Sequence, residues 1–239
     1  MSQISEFPPR PVQRPVMFQS WKWLTFLHWR YQPDEIRRLL PKQLELDTFD
    51  GSAWVGLTPF LLKGLRPPFL PAVPWISHFP EMNVRTYVRG PDGEPGVWFF
   101  TLEAGRLAAV AGARLTYRLP YRWAAMRVRK GNGVVEYSSS RKWPFGSGDA
   151  RISVEIGESI KPTELDRFLT ARFRLYTILL GRLGFAQIEH EPWPLRTARL
   201  LRLAQNVVEA SGVPQLQGSP MLHYSPGVNV RVGMVMALR

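Results

Sequence analysis

The sequence predicts a mainly β protein of the α+β class, with an antiparallel sheet closed into a barrel or double sheet and two or three short helices. Three observations predict it. Apolar and polar residues alternate in many short segments, the period of a strand with two unlike faces. Turn-forming clusters separate those segments, among 19 Gly and 22 Pro. Helical spacing of apolar residues appears only in brief stretches. About ten to twelve strands are expected, more than an open sheet carries comfortably without curling.

Taken in order, residues 1–16 hold four prolines and no apolar period, which predicts an extended, mobile arm. In WKWLTFLHWR (21–30), simple alternation places Trp21, Trp23, Leu27 and Trp29 on one face and Leu24 and Phe26 on the other. Aromatics on both faces predict a strand buried on both sides. Pro33 opens a short helix that Pro41 ends. Residues 44–62 read as two strands around the Asp50-Gly51 turn, and 63–79, with four prolines, as an irregular loop apolar enough to cover something.

The segment 80–90 alternates cleanly, with Glu81, Asn83, Arg85 and Tyr87 on one face and Met82, Val84, Thr86 and Val88 on the other. A turn leads from it into a strand at 97–104. Alanine-rich 106–115 predicts a short helix, 122–130 and 134–141 a hairpin, and 151–156 a strand. A helix is expected from about 163 to 172, starting after Pro162. For 173–180 a strand is preferred to a continued helix, turning at Gly181 and returning as 184–191. Strands near 196–203 and 228–237 close the chain, with a helical turn or two at NVVEASG between them. No repeat or linker divides the chain, so residues 17–239 form one domain.

Composition limits the function. There is no cysteine, which excludes disulfides and thiolate metal sites. No run approaches about 18 apolar residues, so no membrane span is predicted, and the N-terminus lacks the apolar region of a signal peptide. A cytoplasmic location with no membrane partner is expected. The net charge is +12, from 25 Arg and six Lys against 19 acids. Such a balance can serve nucleic acid, and residues 105–142 carry nine basic residues and one acid. No nucleic-acid-binding motif accompanies it, which argues against that role. The four histidines show no paired metal spacing, and no glycine-rich loop precedes a helix, so neither metal nor cofactor is expected.

Several motifs resemble a known family. HWRYQPDEIRRLLPKQLELDTFDGSAWVGLTPF, MNVRTYVRGPDGEPGVWFF, AGARLTYRLPY, HEPWPL and HYSPGVNVRVG together resemble the YqjF-like bacterial family of unknown function. That family looks like a distant branch of the acetoacetate decarboxylase-like superfamily. The resemblance implies a β-barrel-like double sheet around a deep apolar pocket, and by analogy a homo-oligomer. It places Glu81 on an active-site glutamate, Arg114 and Pro120 on an Arg and a Pro of the decarboxylases' lysine motif, and Lys22 on their substrate-binding arginine.

The sequence departs from that pattern at the reactive group. The two lysines after the proline are Tyr121 and Arg122 here, and a second glutamate would fall near Gly56 or Leu57. A phenol cannot form an imine with a ketone, and neither can a protonated guanidinium. Schiff-base decarboxylation is therefore not expected. The candidate acid–base pair is Glu81 with Tyr121, and the candidate ligand-binding residues are Lys22, Asn83, Arg85, Arg114 and Arg122. The expected partner is a small anionic molecule with an apolar part, bound by an acid–base enzyme of lyase or isomerase type or by a non-catalytic sensing module.

Overall fold

The computed structural model describes residues 4–238, apart from the side chains of residues 108, 109 and 113. Strands β1 (Pro15–Tyr31), β2 (Glu45–Leu46), β3 (Ala53–Arg66), β4 (Phe79–Arg89) and β5 (Pro95–Ala104) follow one another, with helix α1 (Pro33–Arg37) after β1. Helix α2 (Leu107–Thr116) leads to β6 (Tyr121–Gly131), β7 (Val134–Arg141) and β8 (Asp149–Ser159). Helix α3 (Glu164–Thr170), β9 (Arg174–Leu179), β10 (Arg182–His190), β11 (Arg196–Gln205), α4 (Val207–Ala210), β12 (Met221–Gly233) and β13 (Met236–Ala237) complete the chain. The mainly β class with few short helices is the one the sequence predicts.

The strands form one sheet that branches and closes on itself twice. Along one edge of β12, residues 230–232 pair with β10, while Tyr224 and His223 pair with β11. Along one edge of β5, Val97 and Trp98 pair with β9, while residues 102–104 pair with β6. The pairing of β4 with β5 shuts both circuits. One ring runs β5-β9-β10-β12-β1-β3-β4, and the other runs β5-β6-β7-β8-β11-β12-β1-β3-β4. They share the wall β12-β1-β3-β4-β5, and each holds its own core. The first encloses Leu24, Phe26, Phe60, Leu62, Leu102, Leu175, Ile188 and Val230, capped by Phe168 and Leu169 of α3. The second encloses Leu27, Trp29, Val55, Leu57, Met82, Val84, Ile152 and Val154.

Pairing is antiparallel except where β5 meets β6 and β9. Parallel neighbours need a crossover; residues 105–120, with α2, provide the one from β5 to β6. Residues 173–180 are strand, as preferred from the sequence, turning at Leu180 and Gly181.

Four expectations are corrected. First, β1 does not alternate simply. Trp23 adopts φ 50°, and the register against β3 slips between Lys22 and Leu27. A bulge inverts the phase of everything before it, so Trp21 joins Leu24 and Phe26 in the first ring while Trp23 packs in the second. Second, the two strands read in residues 44–62 are both present but do not pair with each other. The turn at Asp50-Gly51 is present, but β2 pairs with β4. Third, the N-terminal arm lies against the domain. Val12 is buried and its N–H donates to Glu189 at 2.7 Å, and Glu6 pairs with Arg167. Residues 1–3 of that arm lie outside the described residues. Fourth, the last long strand starts at Met221, seven residues before the position read from the sequence.

Candidate functional site

The first ring is not filled. It holds a cavity of about 770 Å³, lined mostly by apolar and aromatic side chains. A volume of this size suits a small organic ligand. Three of its polar groups come from one strand. On β4, Glu81, Asn83 and Arg85 face the cavity, and the intervening Met82 and Val84 enter the second core. The period of two thus gives one strand two jobs.

Glu81 is buried, and among the described residues its carboxyl has one hydrogen-bond partner, Tyr121, whose hydroxyl donates to Oε2 at 3.1 Å. Burial in apolar surroundings pushes the carboxyl up to about 8, against the pull of the Tyr121 hydrogen bond. Burial and the neighbouring carboxyl likewise hold the Tyr121 phenol well above its ordinary value. Glu81 is therefore a neutral acid at pH 7. With Tyr121 donating to one oxygen, its own proton is free to be given to a ligand oxygen.

Four residues along the same strand, about 13 Å away at some 3.3 Å per residue, stands Arg85. Its Nη2 donates to the Leu169 carbonyl at 3.2 Å, and the guanidinium lies 5.4 Å from the Phe26 ring centroid. Nε has no partner, and no carboxylate is within ion-pair distance among the described residues. Asn83 Oδ1 and Thr58 Oγ1, both on the cavity wall, are also without partners. Arg172 Nη2 is a fourth such atom on the lining, and because buried polar atoms are normally satisfied, four around one cavity mark where a polar ligand completes the network. The cavity's other deep cations are already paired, Arg172 with Asp47 and Arg174 with Asp92, each at 2.6 Å.

The structure brings Glu81, Asn83, Arg85 and Tyr121 to the cavity and leaves out the other three candidates. Lys22 is absent from the lining, because the bulge that turns Trp21 inward turns its neighbour away. Arg114 is exposed; it donates to the Tyr121 carbonyl at 2.9 Å and stacks near Phe145. Arg122 stacks near the same ring and is likewise outside the lining. Arg114 thus positions the Tyr121 backbone and does not face a ligand. The place of the missing second glutamate is crowded, since a Cβ on Gly56 would meet the His28 ring at 3.0 Å, and Leu57 beside it enters the second core. Among the described residues, no lysine lines the cavity.

The candidates read from the sequence omitted His190, which lines the cavity beside Trp193 and Trp21. Its Nδ1 lies 2.7 Å from the Glu191 carbonyl. A carbonyl only accepts, which assigns the proton to Nδ1 and leaves Nε2 with a free lone pair. Burial lowers its pKa to about 4, so the ring is neutral. The signal was the HEPW motif, read for its fold rather than for its imidazole. Among the described residues, no three histidines or carboxylates gather as for a metal, and no helix is long and apolar enough to cross a membrane.

The doubly closed sheet defines the class as an acetoacetate decarboxylase-like fold. Over 97% of this chain and 93% of its own, the enduracididine biosynthesis enzyme MppR complexed with pyruvate superposes with a TM-score of 0.66 at 14% identity. An acetoacetate decarboxylase-like enzyme from Sphingomonas wittichii RW1 gives 0.65 at 12% identity over 97% and 96% of the two chains. Acetoacetate decarboxylase from Legionella pneumophila gives 0.62 at 15% over 96% and 92%. At these identities the likeness is one of fold. Residues 18–229 match the domain of unknown function 2071 family, described as an uncharacterized conserved protein, and the chain belongs to that family. Protein YqjF of Bacillus subtilis (strain 168) is 38% identical over 214 residues, covering 88% of this chain and 87% of the relative.

Proposed function

We propose that the cavity binds a small carboxylate with an apolar body and an enolizable carbonyl, and acts on it by acid–base chemistry. Arg85 holds the carboxylate, Asn83 and Thr58 take the remaining polar atoms, and Glu81, supported by Tyr121, donates to the carbonyl oxygen as charge develops there. His190 Nε2 is the neutral acceptor available for a proton. The observation that carries this reading is the pairing, in one apolar cavity, of a neutral carboxylic acid with a buried guanidinium that lacks a carboxylate. The pyruvate in the MppR complex, a keto carboxylate, supports this pair of functional groups, while the roughly 13 Å between Glu81 and Arg85 asks for a longer spacing between them.

The test uses two probes. The apolar anion 1-anilinonaphthalene-8-sulfonate reports on binding, and 9-oxodecanoate, whose ketone lies several carbons from its carboxylate, reports in deuterium oxide on exchange at the carbons beside the ketone. Arg85→Met should weaken binding of the fluorophore by about tenfold or more, the worth of one charged hydrogen bond. Glu81→Gln should suppress exchange while leaving binding of the fluorophore unchanged. Binding indifferent to Arg85 sinks the proposal. Binding with no exchange in the unaltered protein favours the second reading, a non-catalytic sensing module, which the absence of any cavity lysine also supports.

A further inference from the structure

The cavity opens under residues 67–77, and this mouth differs from the rest of the surface. Leu70, Val73 and Ile76 line the cavity and are also 57%, 51% and 46% exposed. Phe69 and Trp75, in left-handed backbone at φ 65° and 74°, are 102% and 80% exposed. The Trp75 carbonyl accepts from Arg106 Nε at 2.6 Å, which ties the loop to the start of α2. Leu107 at that start, and Leu115 near the end of the same helix, are exposed as well. Large apolar side chains grouped at one place on a surface mark an interaction site.

The segments that contribute to the mouth carry charge of one sign. Segments 7–21, 63–80 and 105–119 supply Met17, Ile76 and Thr116 to the cavity lining. None of the chain's 19 acidic residues falls in them, and they carry Arg10, Arg14, Lys63, Arg66, Arg106, Arg114 and Arg118. Two copies of this face would meet with like charges, which disfavours a second copy as its cover. Apolar rings among arginines are complementary to an anionic lipid surface, where Trp and Phe enter the headgroup boundary and cations meet lipid phosphates.

We propose that this face docks on an anionic lipid bilayer through Phe69 and Trp75, so that the cavity mouth opens onto the membrane interface. This is lying on a membrane, which the lack of a spanning helix does not address. It requires nothing of Glu81 and holds whether or not the cavity turns its ligand over. A cavity so placed would receive lipophilic acids that partition into the bilayer.

The experiment is co-sedimentation of the full chain with two vesicle preparations, phosphatidylcholine alone and equal parts phosphatidylcholine and phosphatidylglycerol. The expected result is binding to the anionic vesicles that weakens with salt. Phe69→Ser/Trp75→Ser should weaken it about tenfold or more. Both rings are exposed, so the double variant should keep its circular dichroism and its binding of 1-anilinonaphthalene-8-sulfonate in the cavity. No binding by the unaltered chain overturns the proposal, as does equal binding by the double variant. So does an oligomer, seen by sedimentation velocity, that the same substitutions dissolve while vesicle binding is absent. That last result would assign the patch to a second copy of this chain.

Discussion

The two rings share five strands yet reach opposite ends. The ring closed through β6, β7, β8 and β11 is packed with Leu57, Ile152 and Val154, each no more than 1% exposed. The ring closed through β9 and β10 keeps a cavity and faces it with an acid, an amide, a guanidinium and an imidazole. The difference is drawn along single strands. On β3, Val55 and Leu57 enter the packed core while Thr58, Phe60 and Leu62 line the cavity. A wall with one stable face can carry polar groups on its other face, because the packed ring supplies the burial that holds the strands in place.

The largest effect expected is in the packed ring's polar exception. Arg141 donates to Glu103 through Nε and Nη2, at 2.6 Å for the closest contact, and the side chains are 4% and 0% exposed. Arg141→Ala would strand a buried carboxylate and should cost about 3–5 kcal/mol in urea denaturation. A loss under 1 kcal/mol would mean that this side of the molecule tolerates unpaired charge as the cavity does, and the contrast would fail.

Next come two truncations of the same residue type on the shared wall. Leu57→Ala opens a void in a closed core and should cost about 2–5 kcal/mol. Leu62→Ala enlarges a cavity that already exists, so fewer contacts are lost; it should fall at or below the low end of that range. Equal losses would show that the cavity ring is as tightly constrained as its partner.

How far this contrast was legible in the sequence depends on the strand. The alternation of 80–90 gave the face of Glu81, Asn83 and Arg85 directly, because β4 runs without a bulge against β3 over its length. On β1 the same reasoning put Trp21 on the face opposite Leu24 and Phe26, and the resemblance made Lys22 a ligand residue. The bulge at Trp23 depends on a backbone angle and on a partner strand 30 or more residues away, neither of which is written in the local pattern. The branching at β5 and β12 was equally hidden, since it arises from which half of a strand each neighbour occupies. Arg114 and Arg122 were misplaced because a shared motif fixes the backbone around Tyr121 but not where longer side chains turn.

The smallest and most diagnostic effect concerns Glu81 and its pH dependence. The carboxyl titrates near 4.5 in the unfolded chain and near 8 in the fold. Between those values the unfolded state has lost a proton that the native state keeps, so stability must fall as pH rises from about 4.5 to 8. Its contribution is fully present below 4.5, where both states are protonated. Glu81→Gln removes the titration and keeps the shape, so at pH 7 to 8 the variant should be the more stable protein, by about 1–3 kcal/mol. The measurement is urea denaturation of both proteins from pH 5 to 9. Curves that run parallel would mean that Glu81 is ionised in the native state, and the cavity would then hold a carboxylate beside Tyr121 instead of the acid on which the proposed chemistry rests.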